Sequence, residues 1–112
     1  MAYTHVADLE DLWEGEMLPI EIDGKAILLL YPRSGDITAI QGHCPHQQIL
    51  LADGDFDGDR RLTCSAHRWQ FDVVACKGIN PDNTLLANYP AKVENNKIYI
   101  DADGVEPNYS GI

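Results

Sequence analysis

Two short pairs of side chains in the middle of the chain have the types and spacing of metal ligands. The first pair is Cys44 and His46, separated by Pro45, and the second is Cys64 and His67, separated by two residues. Each pair can close on a metal from a single turn, and together they supply two thiolates and two imidazoles. This donor set suits a tetrahedral zinc ion. It equally suits a [2Fe–2S] cluster in which two Cys hold one iron and two His hold the other.

The mixed composition of each pair favours the iron–sulfur cluster over zinc. Zinc fingers usually pair Cys with Cys and His with His, with the spacings C-x2-C and H-x3-5-H. A mixed pair instead fits two loops that each give one ligand to each iron. A structural zinc module is the second interpretation of the same four residues.

The residues around both pairs resemble the Rieske ferredoxin family. Residues 44–48 (CPHQQ) look like its first cluster loop, and residues 64–71 (CSAHRWQF) look like its second. Residues 51–59 look like the link between the loops. Many members have Gly directly after the second ligand His, whereas this chain has Arg68 and then Trp69. In this the chain is most similar to the ferredoxin component of toluene and related aromatic monooxygenases.

The resemblance implies an all-β Rieske iron–sulfur fold for the whole chain. We expect an antiparallel β-sandwich or barrel formed by residues 1–112 as a single domain. A cluster-binding subdomain at about residues 42–72 would be inserted into it, and the remainder would form a base domain.

The resemblance also assigns roles to individual residues. It implies one [2Fe–2S] cluster, with both His ligands on the same iron and their outer ring nitrogens exposed at the tip of the protein. No catalytic residue is expected. The implied cluster ligands are Cys44, His46, Cys64 and His67. Candidates for partner docking or cluster shielding are Gln47, Arg68, Trp69 and Pro81.

Hydrophobic patterning predicts antiparallel strands on both sides of the ligand pairs. Apolar and polar residues alternate over 18–22, and Asp23-Gly24 is a hairpin signal. The apolar run 25–31 predicts a strand buried on both faces, and residues 37–41 predict a third strand that leads into the first loop. Residues 91–101 predict a final hairpin that turns at two Asn residues. Short strands are also expected at 61–63 and 70–72.

Three other segments are predicted to lack regular structure. Carboxylates at every second residue over 53–59 resemble a calcium loop, but the closing Glu is missing, which favours a solvated turn. Residues 76–83 contain Gly, Pro and Asn and predict a loop, which the resemblance places over the cluster with Pro81 as its rigid point. Cys76 is expected to be a small packed residue rather than a redox centre. The polar residues 103–112 are expected to be loosely held.

Length and charge limit the classes of function. The 112 residues suffice for one domain, no apolar run approaches the roughly 20 residues of a membrane span, and no export signal is visible. We therefore expect a monomeric cytoplasmic protein. The net charge of −10 disfavours nucleic acid and favours a partner with a basic docking face. Plain solubility is the alternative explanation of this charge.

The positions after the second ligand pair predict a low reduction potential within the Rieske range of roughly −150 to +300 mV. High-potential respiratory members carry hydroxyl donors two and four residues after the second ligand His. Those positions are Trp69 and Phe71 here, and neither supplies a hydroxyl. The disulfide that joins the two loops of respiratory members cannot form, because the matching positions are Ile49 and Ala66.

The predicted function is that of a soluble one-electron carrier rather than an enzyme. The resemblance implies an NADH-dependent flavin or iron–sulfur reductase as donor and the diiron hydroxylase of a toluene-type monooxygenase as acceptor. The ferredoxin of a ring-hydroxylating dioxygenase is the alternative. An oxygenase in its own right would need a further iron held by two His and a carboxylate. Outside the ligand pairs only His5 and His43 are present, and the chain has no room for a catalytic domain.

Overall fold

The chain folds into antiparallel β-sheets, in agreement with the all-β prediction. The computed structural model describes residues 3–33, 35–45, 49–65, 68–80 and 84–107. Within these residues lie two 3₁₀ helices, Leu9–Asp11 and Leu51–Asp53, and eleven strands. The strands are β1 (Thr4–Asp8), β2 (Met17–Ile22), β3 (Lys25–Leu30), β4 (Thr38–Gln41), β5 (Asp55–Phe56), β6 (Arg61–Thr63), β7 (Gln70–Asp72), β8 (Lys77–Asn80), β9 (Asn88–Tyr89), β10 (Ala91–Glu94) and β11 (Lys97–Ile100).

The described strands form three sheets with the orders β1-β11-β10, β2-β3-β4-β9 and β5-β6-β7-β8. Every pairing is antiparallel. In the sequence the second predicted ligand pair falls between β6 and β7 of the third sheet. This sheet continues to Asn80, past the predicted subdomain boundary at residue 72. The other two sheets contain the remaining strands of the predicted base domain.

Strand β3 separates two hydrophobic cores. Leu28 and Leu30 belong to the core that contains both cysteines of the predicted ligand pairs. Ile27 and Leu29 belong to the second core, which lies between the first two sheets. Successive side chains of a strand point to opposite faces, so the continuous apolar run predicted from the sequence serves both cores. All four residues are at most 1% exposed, which confirms that β3 is buried on both faces.

Both predicted two-residue hairpin turns are present. Asp23 and Gly24 have φ values of 50° and 81°, and Asn95 and Asn96 have φ values of 52° and 62°. Positive φ at both central residues is the requirement of a type I′ turn, which Asn, Asp and Gly tolerate best. The turns fix the pairing of β2 with β3 and of β10 with β11.

The prediction of a loop over residues 76–83 is wrong for its first half. Lys77–Asn80 forms β8 and pairs with β7, with Lys77 opposite Asp72. The Asp72 carboxylate accepts hydrogen bonds from the N–H groups of Val74 and Ala75, both at 3.0 Å, and so reverses the chain between the two strands. Gly and Asn are rare in strands, but cross-strand pairing overrides this weak preference. Residues 81–83 lie outside the described part of the chain.

The tail is held more firmly than predicted. Lys25 Nζ donates hydrogen bonds of 3.0 Å to the carbonyl oxygens of Ala102 and of Val105. Ala102 is buried, and Val105 packs against the second core. The expectation of a loose tail is therefore wrong up to Val105, because Lys25 on β3 donates hydrogen bonds to the backbone of the tail.

Among the described residues, no helix has the length and apolar content needed to cross a membrane.

Candidate metal centre

Each of the two predicted ligand loops is closed by an equivalent backbone hydrogen bond. The N–H of Cys44 donates to the carbonyl oxygen of Ile49 at 2.8 Å, and the N–H of Cys64 donates to that of Trp69 at 2.7 Å. In both loops the donor and acceptor are five residues apart, and the predicted His ligand falls between them in the sequence. Both of these residues, His46 and His67, lie outside the described residues. The structure therefore places a cysteine at the start of each of two matched tight loops.

Each loop is mounted on antiparallel backbone. In the first, His43 forms a β-bridge with Leu50, and the N–H of Leu51 donates to the carbonyl oxygen of Gly42 at 2.8 Å. In the second, Thr63 on β6 is the partner of Gln70 on β7. Both loops therefore lie at the ends of paired segments, which fix the backbone on either side of each loop.

Both cysteines are buried in one apolar environment. Cys44 and Cys64 are each 1% exposed and belong to the same core cluster. Neither forms a disulfide. Among the described side chains, no group of three Cys, His, Asp or Glu is placed to hold a metal. The described donors are thus two buried thiols, which fits a cluster that takes two Cys on one iron and its other ligands from the rest of the loops.

Two glycines allow close packing next to the ligand loops. A Cβ on Gly42 would lie 2.8 Å from the carbonyl carbon of Ala26 on β3. A Cβ on Gly54 would overlap the carbonyl oxygen of Thr63, the residue before Cys64. The start of the first loop is therefore packed on the β2-β3-β4-β9 sheet. The Leu51–Asp53 helix is packed on β6, the strand that leads into the second loop.

A buried amide that the sequence analysis did not identify lies next to the first loop. Gln41 at the end of β4 is fully buried. Its Nε2 donates to the carbonyl oxygen of His43 at 2.8 Å, and its Oε1 accepts from the N–H of Ala87 at 2.8 Å. The only signal in the sequence is a polar residue at an inward position of an apolar strand.

The two described candidates for docking or shielding differ in exposure. Arg68 is exposed and has a φ of 58°. This is the left-handed conformation, which Gly adopts without strain. Trp69 is half-buried, packs against the core that contains both cysteines, and lies 6.5 Å from the ring of Phe71 between centroids. Gln47 and Pro81 lie outside the described residues.

The acidic segment before β6 is a turn closed by its own backbone. One carboxylate oxygen of Asp57 accepts from the N–H groups of Asp59, Arg60 and Arg61 at 2.8 to 3.0 Å. Burial alone would raise the pKa of Asp57, but these three donors and the charge of Arg61 lower it. Residues 57–60 therefore form the predicted turn. The prediction is wrong for Asp53, which ends the Leu51–Asp53 helix, and for Asp55 and Phe56, which form β5 and pair with β6.

Cys76 differs from the two cysteines of the ligand pairs. It occupies a turn position with a φ of 57°, is half-buried, and its Sγ donates to the carbonyl oxygen of Val73 at 3.4 Å. Burial raises the pKa of the Cys76 thiol, and the nearby Asp72 carboxylate adds to the shift. A thiol kept protonated is a poor nucleophile and metal ligand. This agrees with its predicted role as a packed residue.

Comparison with known proteins identifies the family. The family model described as Rieske [2Fe-2S] domain matches residues 2–90. The ferredoxin component of the alkene monooxygenase system of Xanthobacter autotrophicus is 41% identical over 105 residues, covering 94% of this chain and 83% of that protein. The ferredoxin component of the naphthalene 1,2-dioxygenase system of Pseudomonas putida is 35% identical over 94 residues, covering 83% of this chain and 88% of that protein.

Solved structures confirm the predicted fold. The ferredoxin of carbazole 1,9a-dioxygenase from Nocardioides aromaticivorans IC177 superposes with a TM-score of 0.79 at 22% identity, covering 89% of this chain and 97% of that chain. The family match, the two curated relatives and this superposition agree with the two matched cysteine loops described above. The chain belongs to the Rieske [2Fe–2S] domain family.

Proposed function

We propose that this chain carries single electrons from an NADH-dependent flavin or iron–sulfur reductase to the diiron hydroxylase of a toluene-type aromatic monooxygenase. The observation that carries the proposal is the pair of matched loops, each of which places a buried cysteine in the same apolar core. A family that carries a [2Fe–2S] cluster and relatives named as ferredoxin components support an electron carrier that works with a reductase and an oxygenase.

The ligands in this proposal are Cys44, His46, Cys64 and His67. When bound, the [2Fe–2S] cluster would accept and release one electron. The chain itself would hold the cluster through the two loops, and the core around the cysteines would exclude water. Trp69 is half-buried against that same core and would either shield the cluster or form part of the docking face. Exposed Arg68 would lie next to the ligand His67 where a partner can reach it.

We further propose a potential in the lower part of the Rieske range. Phe71 is fully buried in the core that contains both cysteines, and Trp69 packs against that core. Neither side chain has a hydroxyl group to donate to the cluster, so fewer hydrogen bonds would stabilise its reduced form. A redox titration that places the midpoint well above zero would contradict this argument.

The choice of a monooxygenase over a dioxygenase rests on two observations. The relative from an alkene monooxygenase system is 41% identical, and the relative from a naphthalene dioxygenase system is 35% identical. Arg68 follows the proposed ligand His, as in the monooxygenase subgroup. The dioxygenase ferredoxin is the second candidate, because the matched fold also occurs in a dioxygenase ferredoxin. Measuring reduction of each purified hydroxylase by the reduced chain separates the two.

The test of the site measures iron, acid-labile sulfide and zinc per chain after purification without air. We expect two irons, two sulfides and an EPR spectrum with the low average g-value of His-ligated clusters. Cys44→Ser and Cys64→Ser should lose the spectrum, whereas the matched control Cys76→Ser should keep it. One zinc and no sulfide in the unmodified chain would instead support a structural zinc module.

The role of Trp69 has a separate test. If it forms part of the docking face, Trp69→Ala should keep the cluster and slow electron transfer to the hydroxylase. If it only shields the cluster, the same variant should lose cluster faster in air and transfer electrons at an unchanged rate when anaerobic.

A further inference from the structure

Gln41 joins two segments of the chain through its side chain. Its Nε2 donates to the carbonyl oxygen of His43 at 2.8 Å, and its Oε1 accepts from the N–H of Ala87 at 2.8 Å. The backbone N–H of Gln41 also donates to the carbonyl oxygen of Ala87 at 3.0 Å. Gln41 therefore forms two hydrogen bonds with Ala87 and one with His43.

Both segments matter for the proposed cluster site. His43 directly precedes Cys44. Ala87 follows Leu86, which lies in the core with both cysteines and whose N–H donates to the carbonyl oxygen of Cys76 at 3.0 Å. Residues 84–87 also come directly after the segment containing Pro81. Gln41 thus links the start of the first ligand loop to residues 84–87.

The burial of this amide makes the link strong. Gln41 is 0% exposed, so water does not compete for its hydrogen bonds. Removing one partner of a buried hydrogen bond leaves the other unsatisfied, which costs more than the bond itself contributes. The first ligand loop leaves the β2-β3-β4-β9 sheet at Gln41, so the hydrogen bonds of this side chain act at the point where the loop begins.

We propose that Gln41 is a positioning residue for the cluster, which sets the first ligand loop and residues 84–87 in one fixed arrangement. This inference rests on the proposed function, since it takes Cys44 to be a cluster ligand. The residue acts through its hydrogen bonds with His43 and Ala87.

The experiment replaces the amide with an apolar side chain of similar length, Gln41→Met, in the purified holoprotein. Hydrogen–deuterium exchange followed by mass spectrometry reports on peptides that cover 42–50, 84–89 and 91–100. The rate of loss of the visible cluster absorbance in excess chelator is the second readout. The matched control is Ile98→Val, which removes one methyl group from the second core on β11.

In Gln41→Met we expect exchange to become about tenfold faster in both 42–50 and 84–89, the factor for a lost interaction of about 1.4 kcal/mol. Peptide 91–100 should be unchanged, and the cluster should be lost several times faster. The control should show the reverse pattern, with faster exchange in 91–100 and unchanged cluster loss. If Gln41→Met does not fold, Gln41→Leu is a second apolar replacement without donor or acceptor, and the same pattern of exchange is expected from it.

Two results would overturn the proposal. The first is faster exchange in 84–89 with no change in 42–50 or in cluster loss, since Gln41 would then only support the 84–89 segment. The second is uniformly faster exchange, as for a general loss of stability. Metal analysis of the unmodified chain is a separate matter. One zinc and no sulfide would refute the proposed function, while the exchange pattern would still report whether Gln41 positions the first loop.

Discussion

Gly54 offers a test of how tightly the Leu51–Asp53 helix packs on the strand that carries the second ligand loop. Its φ is −90° and its ψ is −163°, so the backbone itself accepts alanine. The added Cβ would overlap the carbonyl oxygen of Thr63, a backbone atom that cannot rotate away. The substitution Gly54→Ala therefore isolates a steric clash from any conformational strain.

The expected effect follows from two opposing contributions. Overpacking costs up to about 3 kcal/mol, and a clash with backbone lies at the upper end of that range. Replacing Gly by Ala also reduces the entropy of the unfolded chain, which stabilises the fold by about 0.4–1 kcal/mol. We expect a net loss of about 2 kcal/mol, which lowers Tm by roughly 8 °C for a domain of this size.

The assay is thermal unfolding of the holoprotein followed by far-UV circular dichroism and by the visible absorbance of the cluster. Gly35→Ala is the matched control, because no heavy atom lies within 4 Å of its Cβ position and its φ is not in the left-handed region. It should leave Tm unchanged or raise it by a few degrees. A Tm for Gly54→Ala equal to that of the control would refute the tight packing inferred at Thr63.

Three further predictions concern other contacts. Arg68→Gly should raise Tm by roughly 2–4 °C, because Gly relieves the left-handed backbone; an unchanged or lower Tm counts against this. Burial alone would raise the pKa of Asp72, but its hydrogen bonds and Arg60 lower it below the ordinary value of 3.8. The ionised carboxylate therefore stabilises the folded chain above pH 3.8, and this stabilisation is lost as the pH falls through the pKa of the folded state. Asp72→Asn should accordingly lower the urea midpoint at pH 7, and the difference from the unmodified chain should narrow below about pH 3.8; a difference independent of pH would contradict this. Lys25→Met should cost about 1–3 kcal/mol and speed hydrogen exchange over 102–106, because two carbonyl oxygens lose their donor; unchanged exchange there would show that Val105 packing alone holds the tail.

Sequence patterns predicted the turns and strands whose conformation depends on residues close together in the chain. The turns at Asp23-Gly24 and Asn95-Asn96 follow from backbone preference, and the burial of β3 follows from its apolar run. Pairing between distant segments has no such signal. The strand Asn88–Tyr89, which pairs with β4, and the pairing of β1 with β11 were not predicted for this reason.

The residues of the candidate site also divide into those that a local sequence pattern predicts and those whose role depends on distant contacts. The residue types and spacing of Cys44 and Cys64 predicted two ligand loops, and the structure shows both closed by equivalent hydrogen bonds. Gln41 was not identified, because the importance of a buried amide depends on Ala87, which is 46 residues away. The anchoring of the tail by Lys25 was not predicted because that lysine was assigned only to a strand.

The burial of β3 on both faces has a consequence for the choice of strand register. A slip of one residue would exchange Leu28 and Leu30 with Ile27 and Leu29, and both pairs are aliphatic side chains of nearly equal volume. Hydrophobicity therefore distinguishes the two registers poorly, although a one-residue slip is normally penalised by exposing the apolar face. Local geometry must decide instead, through the positive φ values at Asp23 and Gly24 and the close approach of Gly42 to Ala26. The hairpin turn at Asp23 and Gly24 thus determines where the first predicted ligand loop begins.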